Sequence, residues 1–272
     1  MKSKTTIAFQ RSALAALFVL IGQAEVRAQE EGWGHLTGRI IVDGAIPEPA
    51  DLTVGTDDRA WCVNTGETFK DRSLIVSSEG GLEHAYVMMY FARSDRNRPD
   101  VHPSYEESKE QTVVLNNENC RFEPRAVFLR TGQTIEFKNS DAIGHNCHVV
   151  TFANEENCSL GAGQSVELEL DSTDRVPGIV KCDIHPWMES LILVRDEPYA
   201  AITDAEGNFR IENIPAGEWS FQFWHKRNGF MRTLQRDGKT FLGRRGEVKV
   251  TIEPDGTLDL GELHISIDNL LE

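Results

Sequence analysis

Residues 182–188 read Cys-Asp-Ile-His-Pro-Trp-Met, and this short stretch decides how the rest of the chain is interpreted. A thiol, an imidazole and a thioether stand at its first, fourth and seventh positions. Two residues between successive donors let a tight loop bring all three side chains to one point, and Pro186 stiffens that loop by fixing φ. Thiolate, imidazole and thioether are ligands that copper prefers. The stretch therefore predicts a copper site with Cys182, His185 and Met188 as ligands.

A trigonal copper site of this kind needs a second imidazole from elsewhere in the chain. Residues 144–148 read Gly-His-Asn-Cys-His and can supply it from His145 or His148. Zinc is the weaker alternative metal, because structural zinc sites favour sets of cysteine and histidine over methionine. The alternative without a metal makes the cysteine half of a disulfide, the histidine a surface residue and the methionine part of the core. We favour copper because the donors occur together.

The motifs around these donors follow a recognisable order across residues 112–196. After an opening strand come Phe122-Glu123-Pro124, a turn at Gly132, an alternating strand over 134–137, Asn139-Ser140-Asp141, and then His145. This order, together with the C-x-x-H-P-aromatic-M loop, resembles the cupredoxins and is most similar to the amicyanin and plastocyanin-like members. The resemblance implies a Greek-key β-sandwich.

The resemblance also implies roles for individual residues. One mononuclear type 1 copper ion would have three strong equatorial ligands, His145, Cys182 and His185, and Met188 would be its weak axial ligand. Asn146 would tie the two ligand-bearing segments together, a contact of the kind that orients ligands and tunes the metal. The likeness to amicyanin further implies that the ring edge of His185 lies near the surface, where an electron and a proton could reach it.

Two residues depart from the family pattern. Cys147 stands where the family has an apolar residue, and by strand alternation it shares a side with His145, so a free thiol near the metal stays open. Val180 stands where the family commonly has an aromatic residue, although a β-branched side chain also suits a buried strand. His148 remains the alternative to His145, ranked second because the family uses the histidine before the asparagine.

Residues 1–28 have the pattern of a secretory signal. Basic residues open the segment, residues 13–21 are continuously apolar, and Val26-Arg27-Ala28 provides a cleavage site. The apolar run is shorter than the roughly 20 residues that a membrane-spanning helix needs. We therefore expect an extracytoplasmic protein, periplasmic or secreted, with no membrane span after signal cleavage.

Export changes how the five cysteines are interpreted, because disulfides form and persist outside the cytosol. If Cys182 binds copper, four cysteines remain. We prefer the pairs Cys62 with Cys120 and Cys147 with Cys158, the second of which would clip two neighbouring strands. Four cysteines allow three pairings. The alternative that one of the four cysteines is a free thiol also stays open.

The chain is acidic, with 28 basic and 43 acidic side chains and a formal net charge of −15. Binding to nucleic acid depends on basic side chains, so this balance argues against a nucleic-acid partner. Acidity could steer a basic redox partner at low ionic strength, but it more commonly keeps an exported protein soluble.

Alternating apolar and polar residues between turn-forming residues predict an all-β chain, with the cupredoxin sandwich accompanied by one or more accessory β-sandwich modules. After the signal we expect an N-terminal β-rich region over 33–110. The copper domain follows over 111–198 and a C-terminal module over 199–272. Whether the N-terminal strands form their own module or join the C-terminal one stays open.

The C-terminal module contains two further strings. Residues 204–211 read Asp-Ala-Glu-Gly-Asn-Phe-Arg-Ile and residues 214–219 read Ile-Pro-Ala-Gly-Glu-Trp. They resemble the carboxypeptidase regulatory-like, transthyretin-like domain. The resemblance implies an accessory module for folding, adhesion or carbohydrate contact.

The sequence predicts a one-electron carrier with one copper ion per chain, and not an enzyme. Four protein donors leave no open metal position, and the chain has none of the H-x-H motifs that oxidases and nitrite reductases use for further copper sites. We expect redox partner proteins, which the sequence does not identify. Two other functions stay open: a cell-surface interaction or carbohydrate-contact protein that uses the fold as a scaffold, and copper capture or delivery.

Overall fold

The computed structural model describes residues 32–54, 61–62, 69–95 and 98–271. The predicted signal segment, 1–28, lies outside the described residues. None of the described helices is long and apolar enough to cross a bilayer.

The regular secondary structure of the described residues is almost all β, as the sequence predicts. The middle of the chain forms β3 (Val113–Glu118), β4 (Arg121–Glu123), β5 (Ala126–Arg130), β6 (Thr134–Asn139), β7 (His145–Val150), β8 (Glu155–Leu160), β9 (Ser165–Glu169), β10 (Gly178–Lys181) and β11 (Glu189–Arg195). The two ends form β1 (Trp33–Asp43), β2 (Tyr86–Met89), β12 (Ala200–Ile202), β13 (Asn208–Pro215), β14 (Gly217–His225), β15 (Gly229–Phe230), β16 (Gln235–Arg236), β17 (Lys239–Thr240), β18 (Glu247–Ile252) and β19 (Thr257–Ser266). Two short segments are helical, α1 (Ser104–Lys109) and α2 (Asp268–Leu271).

Strands β3 to β11 form one β-sandwich, which we call the middle sandwich. One sheet has the strand order β4-β3-β6-β9 and the other β5-β11-β10-β7-β8. The pairs β3–β6 and β5–β11 are parallel, so the chain crosses between the sheets as in a Greek key. On β6 the buried residues Ile135 and Phe137 alternate with partly exposed Glu136, which is the pattern of a strand with one face on a core.

The strands from both ends form a second sandwich, which we call the terminal sandwich. Its sheets have the orders β13-β1-β19-β16-β17 and β12-β2-β14-β15, with β18 also paired to β14. Because β1 pairs with β13 and β19, and β2 lies between β12 and β14, the N-terminal and C-terminal strands share one apolar core. The question that the sequence left open is answered for the described strands, because those of both ends belong to one accessory sandwich.

The two sandwiches pack against each other through strands that are buried on both faces. On β2, Val87 and Met89 belong to the terminal core, while Tyr86 and Met88 form an apolar cluster with Leu191 on β11. Burial of a side chain of this size contributes about 1.5–3 kcal/mol. The continuous apolar runs of β2 and β11 therefore reflect burial on two sides, and the four sheets form one stack.

Two buried hydrogen bonds accompany this apolar contact. The hydroxyl of Tyr86 donates to the carbonyl oxygen of Val127 at 3.0 Å. At the far end of β11, Nη2 of Arg195 donates to the carbonyl oxygen of Met89 at 2.9 Å. Both bonds satisfy polar groups that the contact would otherwise leave buried and unpaired.

Candidate metal centre

The predicted donors lie at one edge of one sheet of the middle sandwich. His145 begins β7, Cys182 directly follows β10, and His185 lies in the loop between β10 and β11. Strand β10 lies between β7 and β11 and runs antiparallel to both. The start of β7, the end of β10 and the start of β11 therefore meet at the same edge. At the opposite end of β10, a Cβ atom on Gly178 would lie 2.6 Å from the carbonyl oxygen of Val150, so glycine allows β10 and β7 to approach closely.

The donor atoms of these three residues converge on one point. Nδ1 of His145 lies 2.8 Å from Nδ1 of His185, and Nδ1 of His185 lies 3.5 Å from Sγ of Cys182. One ligand atom from each residue lies within 4.8 Å of the others. Cys182 is 2% exposed and each histidine 1%. Two imidazole nitrogens and a thiol buried together are the equatorial donor set of a trigonal copper site, so the residues fit a bound copper ion.

Met188 ends the ligand loop and is buried in the same apolar core as Cys182. Its backbone N–H donates to the carbonyl oxygen of His185 at 2.9 Å, and its carbonyl oxygen accepts from the backbone N–H of Cys182 at 3.2 Å. These two bonds fold residues 182–188 into a tight loop. They hold the residue that the sequence predicts as an axial ligand next to the two predicted equatorial ones.

Asp141 is a site residue that the sequence interpretation missed. Its Oδ2 lies 2.8 Å from Nε2 of His145, and its carboxylate accepts hydrogen bonds from the backbone N–H groups of Asn119 and Cys120 at 2.7 and 2.9 Å. Burial raises the pKa of Asp141, but the hydrogen bonds from His145, Cys120 and Asn119 lower that pKa by more than burial raises it. The net shift of the pKa is therefore downward. An ionised acceptor at Nε2 keeps the proton on that nitrogen and leaves Nδ1 for the cluster.

The spacing of Asp141 and His145 is the sequence feature from which this contact could have been predicted. The aspartate precedes the histidine by four positions, just after β6 ends at Asn139. Nothing in the local pattern, however, says that the intervening turn brings the two side chains together. The amide of Asn139 donates to the carbonyl oxygen of Ile143 at 2.8 Å and so ties that turn back on itself.

Asn146 contacts both segments that carry the donors. Its Oδ1 accepts a hydrogen bond from the backbone N–H of Asp183 at 2.7 Å and lies 3.3 Å from Sγ of Cys182. Its own backbone N–H points at the same sulfur, at 3.5 Å. Its Nδ2 donates to Oδ2 of Asp183 at 3.0 Å. Asn146 thus links β7 to the start of the ligand loop and places two polar groups beside the thiol.

His148, the alternative ligand, lies on the other face of β7. Its Nδ1 is 2.8 Å from Oδ2 of Asp183, and its side chain is partly exposed. The pKa of Asp183 is lowered by hydrogen bonds, first from Lys181 and then from Asn146 and His148. His148 therefore takes part in a polar network outside the cluster, and His145 is the histidine that points inward.

The two buried thiols in this region differ in how easily they lose a proton. Burial raises the pKa of Cys147 to about 12. Burial also raises the pKa of Cys182, but hydrogen bonds from His145 and His185 outweigh it and bring that pKa down to about 6. Near neutral pH the thiolate is therefore on Cys182, and Cys147 keeps its proton.

The cysteine pairing agrees with the sequence interpretation in one pair and not in the other. Cys62 and Cys120 form a disulfide, as predicted. The predicted pair of Cys147 and Cys158 is wrong, because both are free thiols although they face each other across β7 and β8. Sγ of Cys147 lies 3.4 Å from Nδ2 of Asn117 inside the core, whereas Cys158 is partly exposed. Their sulfurs have different environments.

The disulfide also bears on the metal centre. Cys120 lies within ligand distance of Asp141 and His145, but its sulfur is bonded to Cys62 and is no metal donor. Its backbone N–H is one of the two groups that hold Asp141. The disulfide therefore fixes a turn that supports the carboxylate behind His145.

His185 is covered, which corrects the expectation that its ring edge lies near the surface. The ring of Trp187 lies 5.2 Å from that of His185, and the ring of Phe69 lies 6.0 Å from that of Trp187. Leu52 and Val54 from the same N-terminal stretch pack against the core of the middle sandwich. Side chains remote in sequence thus cover the ligand loop beside Trp187.

Three comparisons place these findings beside known proteins. No family model matches the chain, and no curated protein matches it. Solved structures that resemble it include a Cu-containing nitrite reductase from Thermus scotoductus, 19% identical over 39% of this chain and 25% of that chain, with a TM-score of 0.28. A Cu(I) amicyanin variant is 19% identical over 31% of this chain and 82% of that chain, with a TM-score of 0.28.

A purple cupredoxin from Nitrosopumilus maritimus is 20% identical over 30% of this chain and 97% of that chain, with a TM-score of 0.26. This chain spans only a quarter of the nitrite reductase, and less than half of this chain is covered in each comparison. The structural neighbours are cupredoxins, matched at low TM-score over a part of this chain.

Proposed function

We propose that this chain is an extracytoplasmic carrier of single electrons with one mononuclear copper centre. In this proposal His145, Cys182 and His185 are the equatorial ligands and Met188 is the axial ligand. The observation that carries the proposal is the convergence of three buried donor atoms within 4.8 Å. A copper ion bound there would supply a one-electron couple between Cu(I) and Cu(II).

The protonation of the cluster supports binding of a cation. With its pKa lowered to about 6, the thiol of Cys182 is largely deprotonated at neutral pH. Asp141 accepts the Nε2 proton of His145, so Nδ1 is the nitrogen of that ring that faces His185 and Cys182. A thiolate buried without a cation is costly, and this favours a bound metal at the site.

The closure of the site supports a carrier over two other functions. Four protein donors at so buried a site leave no position for a substrate, which argues against an enzyme at this centre. Copper delivery needs exposed, exchangeable ligands, whereas the cysteine and both histidines are at most 2% exposed. A buried set of ligands favours a permanently bound ion that changes only its charge.

Hydrogen bonds fix the ligands before any metal binds. Asp141 holds the imidazole of His145, and Asn146 holds the backbone of Asp183 next to Cys182. Ligands held from outside in this way move little when the charge of the centre changes. A small reorganisation favours fast electron transfer and is what a carrier needs.

The ligand loop itself is the proposed contact for a redox partner protein. Ile184 is 55% exposed although it is apolar, and Pro186 beside it is also exposed. Trp187 lies in contact with His185 and is only partly buried. An electron could therefore pass between the centre and this surface by way of Trp187.

Two features support export. The segment 1–28 has the composition of a secretory signal. The disulfide between Cys62 and Cys120 is the kind of bond that persists outside the cytosol.

Titration of the purified mature chain with Cu(II) tests the proposal. We expect an intense thiolate-to-copper absorption band in the visible range that saturates at one metal per chain. Cys182→Ser is the matched control and should take up no colour. A wild-type chain that stays colourless, or that binds only zinc, would contradict the proposal and favour the scaffold function.

A further inference from the structure

A cleft lies at the junction of the two sandwiches, next to those ends of β10 and β11 that are opposite to the ligand loop. Its volume is about 430 Å³, which is in the size range of small-molecule sites. One wall belongs to the middle sandwich and consists of residues 173–176, Arg195 and Asp196. The terminal sandwich forms the other, mainly through Tyr90, Phe91 and Phe230. Clefts between packed domains are common places for ligands.

Arginines dominate this cleft. Five of them line it, against two carboxylates, and we call it the arginine cleft: Arg98, Arg175, Arg195, Arg232 and Arg245. Such a concentration is unexpected in a chain with a net charge of −15. Guanidinium groups present several donors in a planar fork that matches carboxylate and phosphate oxygens.

The two carboxylates of the cleft are engaged in local bonds. Asp174 is buried and accepts from the backbone N–H of Ala153 at 3.0 Å and from the amide of Asn154 at 3.1 Å. Asp196 accepts from the hydroxyl of Thr173 at 3.4 Å. Neither carboxylate forms a salt bridge with an arginine of the cleft in the part of the chain that the structure describes.

One arginine of the cleft is structural and four are available. Arg195 is buried, pairs with Glu197 at 2.5 Å and donates to the carbonyl oxygen of Met89. None of the other four guanidinium groups forms a salt bridge in the part of the chain that the structure describes, although the charge of Arg98 acts on the carboxylate of Asp196. Five guanidinium groups against two carboxylates leave the cleft with a positive balance, which favours binding of an anion.

The aromatic residues give the cleft an apolar surface beside these charges. The guanidinium carbon of Arg98 lies 4.3 Å from the ring centroid of Phe91, and that of Arg195 lies 5.9 Å from the same centroid. Nη1 of Arg245 donates to the hydroxyl of Tyr90 at 3.2 Å. Stacking and hydrogen bonding of this kind hold the side chains in place and leave further N–H donors for a ligand.

We propose that the arginine cleft binds a small organic dianion with an aromatic or similarly flat apolar body. The oxyanion groups would contact the guanidiniums of Arg98, Arg232 and Arg245, and the body would lie against Phe91 and Phe230. The shared chemistry is that of a doubly charged oxyanion ligand whose oxygens can accept paired hydrogen bonds from a guanidinium, which a dicarboxylate or a phosphate monoester provides. This site is separate from the metal centre and does not depend on the proposed electron transfer.

Isothermal titration calorimetry on the full mature chain at low ionic strength tests the proposal. The probes are benzene-1,2-dicarboxylate, phenyl phosphate, inorganic phosphate and the neutral compound benzamide. We expect one aromatic dianion per chain to bind, inorganic phosphate to bind more weakly, and benzamide not to bind. The stronger of the two aromatic probes identifies whether carboxylate or phosphate is the preferred group.

Three variants assign the binding to the cleft. Arg98→Gln and Arg245→Gln should each weaken the binding of the aromatic dianion about tenfold, because charge-assisted hydrogen bonds are lost. Arg244→Gln removes the same charge from the exposed neighbouring residue, which does not line the cleft, and should leave the affinity unchanged. All three side chains are exposed, so the variants should fold, and matching melting temperatures would verify this.

The proposal would be overturned by any of three results. One is that neither aromatic dianion binds the wild-type chain, and another is that Arg244→Gln weakens binding as much as Arg98→Gln, which would mean general attraction to surface charge. If inorganic phosphate bound as tightly as phenyl phosphate, the aromatic wall would have no role.

Discussion

Oδ2 of Asp141 lies 2.8 Å from Nε2 of His145, and the two residues are four positions apart at the edge of the middle sandwich. The same carboxylate accepts the backbone N–H of Cys120, which is bonded to Cys62. A histidine at the centre of the donor cluster is therefore held by a carboxylate, and that carboxylate is held by a turn closed with a disulfide.

Asp141→Asn should weaken copper binding by about 10- to 100-fold, the usual effect of losing a group that orients a ligating histidine. The reduction potential should rise, because His145 loses a negatively charged acceptor and donates less to Cu(II). Competition with a chelator measures the affinity, and voltammetry measures the potential. Asp171→Asn, on an exposed connection of the same sandwich, is the control. An unchanged affinity and potential would show that Asp141 only stabilises the turn.

Cys182→Ser should abolish the thiolate-to-copper band, since a hydroxyl cannot provide this charge transfer. Cys147→Ser should keep the band, because burial raises the pKa of the Cys147 thiol to about 12 and keeps it protonated. Visible absorption of both variants after addition of Cu(II) is the measurement. The opposite pattern, with Cys182→Ser coloured and Cys147→Ser colourless, would reverse the ligand assignment.

Met188→Gln should keep copper bound but lower the reduction potential, because a harder axial donor favours Cu(II). Voltammetry and electron paramagnetic resonance check this. Met231→Leu, a buried substitution in the core of the terminal sandwich, should leave the potential unchanged. A potential that is the same in Met188→Gln and the wild type would remove Met188 from the ligand set.

Replacement of both Cys62 and Cys120 by Ser should destabilise the chain by about 2–5 kcal/mol, the usual loss when a native disulfide is removed. The bond closes a sequence separation of 58 residues, so its loss frees a long stretch of unfolded chain. Copper binding should weaken as well, since the turn that holds Asp141 loosens. Urea unfolding measures the stability, and Cys158→Ser, a partly exposed free thiol, is the control. Full stability in the double variant would contradict the prediction.

The protein should lose stability as the pH falls from about 6.5 toward 4, through two histidines near the contact between the sandwiches. Burial, followed by the charge of Arg125, lowers the pKa of His84 to about 4. Burial lowers the pKa of His225 to about 3, and the charges of His84, Arg125 and Arg227 add to this. Both stay neutral in the folded state while the unfolded chain takes up protons near pH 6.5, so acidification favours unfolding.

The direction of this effect separates it from the titration of the buried carboxyl of Glu197, because burial raises the pKa of Glu197 to about 8 and its protonation favours the folded state as the pH falls. Each such histidine contributes up to about 1.4 kcal/mol per pH unit below 6.5. His225→Gln should therefore flatten the dependence of the unfolding free energy on pH between 6.5 and 5, measured by urea titration. An equal slope in wild type and His225→Gln would assign the acid sensitivity to other groups.

Features that depend on neighbours along the chain can be predicted from the sequence. The alternation of β6 and the turns between strands predict the all-β class, because a strand places successive side chains on opposite faces. The spacing within 182–188 predicts one loop with three donors for the same local reason. His145 could be preferred over His148 only through the order of motifs, and the structure places His145 inward.

The contacts between segments that are distant in sequence are visible only in the folded chain. The pairing of β1 with β19 makes one terminal sandwich from both ends of the described chain, and no local periodicity encodes such a pairing. The cover that Phe69 and Trp187 form over His185 likewise joins residues far apart in sequence. Cys147 and Cys158 face each other in register yet stay unpaired, because the direction of each sulfur depends on packing around it. Side-chain contacts across the fold are set by shape and burial, which one sequence leaves open.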